Sequence, residues 1–217
     1  MTIADEDGYR NAYPHDTGHH HDNAPVKEAG YLLHKDALTL ARMAHSSSLL
    51  EAAIGMATIN SLIELDERHC VDLNAGDLIM EKGKDKKVAI VGHFPFIPRL
   101  RSVVKELWVI EQRPREGDFT EAEAGDFIPQ ADVVGITGTA FTNHTIEHLL
   151  TLCSSKAYVV ILGGTTPLSP VIFDYGVSAL SGTKVIDSEA TLNCVSQGAT
   201  FRQIKGIRLL TIQKEKR

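Results

Sequence analysis

Cysteine is scarce and scattered in this 217-residue sequence: Cys70, Cys153 and Cys194 form no CxxC pair. Neither a disulfide framework nor a thiolate cage is written into the chain, and a reducing cytosol is its expected home. Positive charge is also in deficit. Lys and Arg number 22 against 28 Asp and Glu, giving a formal net charge of −6 and a pI near 5.9. That excludes a dedicated nucleic-acid binder, which needs a basic face to neutralise phosphates. Apolar runs of about 18 residues are missing, so no membrane span is expected. The opening stretch MTIADEDGYRNAYPHDTGHHHDN has no charged-then-apolar leader pattern. No G-x-S-x-G elbow and no G-x-G-x-x-G turn occurs after a strand, which argues against an activated serine and against a dinucleotide site.

What is present is enough apolar material, 43% of residues, for a substantial core. Residues 1–30 lack hydrophobic periodicity and read as a poorly ordered arm carrying a histidine cluster, His15, His19, His20 and His21. Residues 31–65 read as a helical segment: HKDALTLARMA repeats apolar residues at helical spacing, and a serine of Ser46–Ser48 caps LLEAAIGMATINSLIEL. Within that helix, Ala53, Gly55 and Ala57 are small enough to permit close packing. Residues 66–86, running into the charged EKGKDKK, read as a linker.

From residue 87 the pattern becomes βαβ. VAIVGHF, LWVIEQ, ADVVGITG, AYVVILGG, TKVIDS and IRLLTIQ read as strands, most of them separated by helical stretches such as FTEAEAGDFIP and TNHTIEHLLTLC. Uncharged, β-branched runs are what a strand buried on both faces requires. The fold class follows: α/β, a Rossmann-like, doubly wound, mostly parallel sheet over 87–217, preceded by a small helical segment.

In such sheets ligands sit beyond the carboxyl ends of the strands. Polar and glycine residues gather at those ends: Gly92 and His93, then Glu111, then Thr137, Gly138 and Thr139, then Gly164, Thr165, Thr166 and Pro167. Thr142 or Asn143 can cap the helix that starts near His144, and Gly138 allows a positive φ or a close ligand approach. The helix N-terminus then offers N–H groups to an anion. GGTTPLSP repeats the device, with capping alone as the plainer reading of both turns. Glu111 stands 19 residues after Gly92, about where an acid meets ribose hydroxyls in nucleotide-binding sheets. Phe94 and Pro95 occupy positions that a pyrophosphate would need to be glycine. A nucleoside-type ligand without pyrophosphate stays open, as does a structural carboxylate.

HTIEH, residues 144–148, matches H-x-x-E-H. His144 and His148 at i and i+4 share a helical face, with Glu147 as base and Glu189 as a possible third ligand. His93 and Glu111, at the cleft floor, are the other metal candidates. No base stands near Cys153 or Cys194 in sequence, and both read as small apolar residues.

The ordered series HKDALTLARMAHSSSLLEAAIGMATINSL, VGHFP, E-x-R-P-x-E-GD at 111–118, ADVVGITGTAFTNHTIEHLL and GGTTPLSP resembles the bacterial and archaeal family called domain of unknown function 364, labelled "putative heavy-metal chelation". The resemblance covers the chain from about residue 30 onward. It implies a Rossmann-like C-terminal domain and, in full-length members, an N-terminal domain similar to the enolase N-terminal fold, which is shortened here. Carried over by position, the motif residues are Gly92, Phe94, Pro95, Glu111, Gly117, Asp118, Thr137, Gly138, Thr139, Asn143, Thr145, Gly164, Thr166, Pro167 and Pro170. The family pattern usually has a small residue, often glycine, where His144 stands.

Three functions follow as expectations. The first is a binding protein for a small ligand or metal complex at the strand ends. The second is an enzyme acting on a nucleoside-like or carboxylated substrate, with His93, Glu111 or Asp118 as acid or base, although no catalytic residue is assigned. The third is a structural subunit. The cofactor is a metal ion or a nucleoside-type ligand, and the partners are that small molecule or metal and a second copy of the chain. The homodimer is expected because the helix at 49–65 has little of its own domain to pack against.

Overall fold

The computed structural model describes residues 26–215. The expected arm and its histidine cluster fall almost wholly outside them. Helix α1 (Ala37–Arg42) begins where Asp36 accepts the Thr39 N–H at 2.9 Å. Helix α2 (Leu49–Leu62) begins at Ser48, whose hydroxyl faces the Glu51 N–H at 3.5 Å. The expected small-residue packing occurs at Gly55. A Cβ there would lie 1.9 Å from the Ala44 backbone nitrogen, so only glycine lets the turn Met43–His45 rest on α2.

The stretch expected to be a linker, 66–86, is instead structured. It holds β1 (Cys70–Val71) and α3 (Ala75–Gly83), the latter capped by Asn74 accepting the Gly76 N–H at 2.8 Å. Leu78 and Ile79 of α3 are fully buried. The helix seats over Gly135, where an added Cβ would meet Ile79 Cδ1 at 3.0 Å. Its apolar face spans little more than one turn before the charged tail, too short to register as helical periodicity.

The remaining elements are β2 (Lys87–Val91), α4 (Ile97–Arg101), β3 (Glu106–Glu111), β4 (Phe119–Thr120), α5 (Ala124–Phe127), β5 (Val133–Thr137), α6 (Thr139–Thr142), α7 (Ile146–Leu152), β6 (Tyr158–Leu162), β7 (Ala179–Val185), α8 (Ser188–Ser196) and β8 (Ile207–Gln213). One eight-stranded sheet runs in the order β1-β8-β7-β6-β5-β2-β3-β4. From β7 to β4 all pairs are parallel, while β8 is antiparallel to β7 and β1 to β8. The parallel portion has the Rossmann order, with its switch point between β2 and β5. Two strands beyond the expected six, β1 and β4, have two residues each. Such strands carry no alternation to read, and Phe119 and Thr120 pair with β3 where a helix was expected.

The central strands alternate between two apolar layers. Val88, Ile90, Val109, Val133 and Val160 pack with Leu78, Ile79, Ile97 and Leu100 on the α3/α4 face. Ala89, Ile110, Val134, Ile136 and Ile161 pack with Ala124, Ala140, Ile146 and Leu149 on the α5/α6/α7 face. Burying each Val, Ile or Leu side chain of these layers contributes about 1.5–3 kcal/mol. Both layers leave the strand ends as the place where side chains are free for chemistry.

Candidate functional site

At the switch point the C-terminal ends of β2, β3 and β5 enclose a cavity of about 220 Å³. Of the residues singled out from sequence, Gly92, His93, Glu111, Thr137, Thr139, Asn143 and Thr145 line it. Gly92 turns the chain out of β2 with φ +103°, and a Cβ on it would come within 3.0 Å of the Thr137 side chain. Glycine therefore serves both the turn and the close approach of β2 and β5.

Asp118 does not line the cavity but holds a residue that does. Its side chain is 4% exposed, and its Oδ2 lies 3.2 Å from His93 Nδ1. The same oxygen accepts the Arg115 N–H at 3.1 Å, closing the 115–118 turn. A carboxylate can only accept, so this pairing places a proton on Nδ1, and in the neutral ring Nε2 then keeps its lone pair. The oriented ring can ligate a metal or take a proton. Glu111 Oε1 accepts the Gln112 N–H at 2.8 Å, which leaves Oε2 for a ligand. Thr137 and Thr139 hydroxyls pair at 2.9 Å. Asn143 Oδ1 accepts from the Thr145 N–H (3.3 Å) and hydroxyl (2.8 Å), an Asx turn that leads into α7.

Three expectations change on contact with the geometry. Gly138 has φ −60°, not a positive value, and is buried. A Cβ there would lie 2.6 Å from both the backbone nitrogen and the Oγ1 of Thr166. It is glycine so that two strand-end loops can touch, not so that a ligand can approach. The anion site at a helix N-terminus loses support, because the helix that starts near His144, α7, has only seven residues and the segment after β6, Pro170–Tyr175, is a 3-10 helix. Neither accumulates much dipole. Finally, His144 and His148 do not share a helical face. His144 sits outside α7 with φ +61°, and its Nε2 lies 2.8 Å from the Ser46 carbonyl. The left-handed position fits the small residue expected there, and the ring ties the N-terminal segment to the loop before α7.

Gly164, Thr165 and Thr166 line neighbouring cavities, and Pro167 is buried. Sequence reasoning missed Gln112, Glu121 and Leu149, which also line the switch-point cavity. Gln112 Nε2 donates to Glu121 Oε2 at 3.1 Å. Glu121 sits inside the Thr120–Glu123 capping box, so in sequence it reads as a helix-surface acid. Asn60, which donates to the Thr165 carbonyl at 3.0 Å, carried only one faint signal: an amide in an apolar helix. Cysteine chemistry finds no support, since burial pushes the Cys153 thiol up to about 11 and raises that of Cys70 as well. Among the described residues no group of three or more His, Cys, Asp or Glu could hold a metal ion, and no helix is long and apolar enough to cross a membrane.

The family model described as "Putative heavy-metal chelation" (DUF364) matches residues 74–214. The chain belongs to this family. A second model of the same description (DUF4213) matches residues 1–63. A crystal structure of a DUF364 protein of unknown function from Desulfitobacterium hafniense is 30% identical, with a TM-score of 0.72 over 82% of this chain and 74% of that one. Another DUF364 protein, from Pyrococcus horikoshii, is 23% identical with a TM-score of 0.73, over 82% and 75%. An uncharacterised protein of Methanocaldococcus jannaschii is 25% identical over 181 residues, 80% of this chain and 70% of the relative. DUF364 members thus share the fold, and the family description supports metal handling in coarse terms.

Proposed function

We propose that this DUF364 chain binds a small molecule that carries its own metal ion, in the cleft at the switch point of the sheet. The observation that carries the reading is the clamped imidazole: His93 lines the cavity while the buried Asp118 carboxylate fixes its other nitrogen at 3.2 Å. Metal-binding histidines are commonly oriented by such a carboxylate. A bare ion fits poorly, because no three-donor protein cage occurs among the described residues and a closed site needs about four donors. An ion already held by a chelator needs only one or two donors from the protein. His93 and Glu111 supply those, and Thr137, Thr139 and Asn143 supply hydrogen bonds to the organic part.

The same dyad supports a second reading, an enzyme in which His93 Nε2 takes a proton from a bound substrate. Native mass spectrometry of the full chain, with His15, His19, His20 and His21 changed to alanine, separates the two. A metal plus an organic mass, both lost in His93→Ala and Glu111→Ala, supports the chelate. An organic mass alone, lost in Asn143→Leu and chemically altered on incubation, supports the enzyme. Protein that carries neither, and takes up neither from a cell extract, counts against both and favours a structural subunit. Exposed Leu49, Leu50 and Leu62 on α2 support the homodimer, and a monomer by light scattering at micromolar concentration would remove it.

A further inference from the structure

The cleft does not end at His93. It shares Gln112, Thr139 and Asn143 with a second cavity of about 440 Å³ under α2. That cavity shares Ala57, Asn60 and Gly164 with a third of about 690 Å³, between the end of α2 and β7. The three form a trough along the strand ends.

At the far end, three buried side-chain atoms have no hydrogen-bond partner: Asn60 Oδ1, Thr166 Oγ1 and Thr183 Oγ1. All three residues line the 690 Å³ cavity, and Thr166 is 2% exposed. Leaving such groups unpaired is costly, and native proteins keep few of them. Gathered around one cavity, they are groups that a ligand filling it would pair. Asn60 fixes part of that partner's chemistry. Its Nδ2 already donates to the Thr165 carbonyl, so the unmet need is a donor for the buried Oδ1. The threonine hydroxyls can give or accept. Ile63, Leu65, Leu168 and Val185 line the same cavity with apolar surface. Among the described residues lining it, the cation Lys184 is already paired with Glu67 and Glu64 adds a carboxylate, so the lining disfavours an anionic group. We infer that this end of the trough is a binding subsite for an uncharged, nucleoside-like body, an apolar ring bearing hydroxyl and N–H groups. It rests on the reading above only in that the molecule's other end would reach His93.

Adenosine is a suitable probe, tested by equilibrium dialysis with the full-length protein. Binding is expected at millimolar or tighter affinity. Thr183→Val should weaken it about tenfold, as the loss of one hydrogen bond predicts, while Thr183→Ser retains it. Thr183→Val should not lower the melting temperature, because it removes an unpaired hydroxyl, and this separates lost binding from lost folding. No binding to the wild type would overturn the subsite. Binding that Glu111→Gln abolishes and Thr183→Val leaves intact would overturn it too, by placing adenosine at the switch point. Failure of metal retention in His93→Ala bears on the first reading alone.

Discussion

The two ends of the trough are built on opposite terms. At the His93 end each polar group is held by another: Asp118 holds His93, Gln112 meets both Glu111 and Glu121, and Thr145 engages Asn143. At the Thr183 end, polar atoms are buried and unpaired. Held groups favour a demanding interaction such as metal ligation or proton transfer, where geometry must exist before the ligand arrives. Unpaired groups favour recognition, since their desolvation cost is recovered only when a matching molecule fills the space. On the proposed reading, one fold offers a preorganised head and a permissive body site.

The two ends meet at Gly138, which gives the largest test of the comparison. Its φ of −60° suits any residue, so Gly138→Ala carries no backbone strain and acts through its methyl group alone. That methyl would lie 2.6 Å from the Thr166 nitrogen and Oγ1, and backbone cannot step aside cheaply. Overpacking of this kind costs about 1–3 kcal/mol. Urea denaturation should show that loss, and adenosine and metal retention should fall together. If stability drops while one activity stays at wild-type level, the ends are independent and the trough is not one site.

Much of this architecture was legible in the sequence because its signals were strong. Uncharged runs such as VAIV and YVVIL mark strands buried on both faces, and the polar residues that follow them mark the switch-point edge. Signals failed where they were short or ambiguous. α3 was hidden by a charged tail, and β1 and β4 by their two-residue length. The helix read through TNHTIEHLLTLC is broken at His144, because the Asx turn of Asn143 wins over helical propensity. Asn60 and Thr183 were invisible as site residues, since nothing local distinguishes an orphaned amide or hydroxyl from a surface one.

A smaller effect sharpens the His93 end. Asp118→Asn keeps the shape of the side chain but can turn an amide donor toward Nδ1, releasing the tautomer that leaves Nε2 free. Loss of such an orienting carboxylate typically costs about 10–100-fold in metal affinity. Metal titration of the variant should show that loss with no change in adenosine binding. Equal metal affinity in wild type and variant would reduce Asp118 to a turn-former for residues 115–118.

The smallest effect concerns α2, the wall that both ends share. Glu51 on α2 accepts from the Ser46 hydroxyl and from the Lys27 N–H at 2.7 Å, and the Ser46 carbonyl receives His144. The Ser46 hydroxyl, followed by the Lys27 N–H, holds the Glu51 carboxyl below its usual value of 4.5. A carboxyl depressed in the folded state stabilises it fully above that usual value and loses the contribution as pH falls through the depressed one. Asp36, Asp66, Glu67 and Glu123 are lowered in the same direction, so the protein as a whole should melt earlier in acid. Glu51→Gln isolates the share that belongs to α2. The variant should melt below wild type at neutral pH, and the gap should close as pH falls below about 4.5. A gap that stays constant across that range would mean that Glu51 acts by shape and hydrogen bonding alone, leaving the charge no part in holding α2 over the trough.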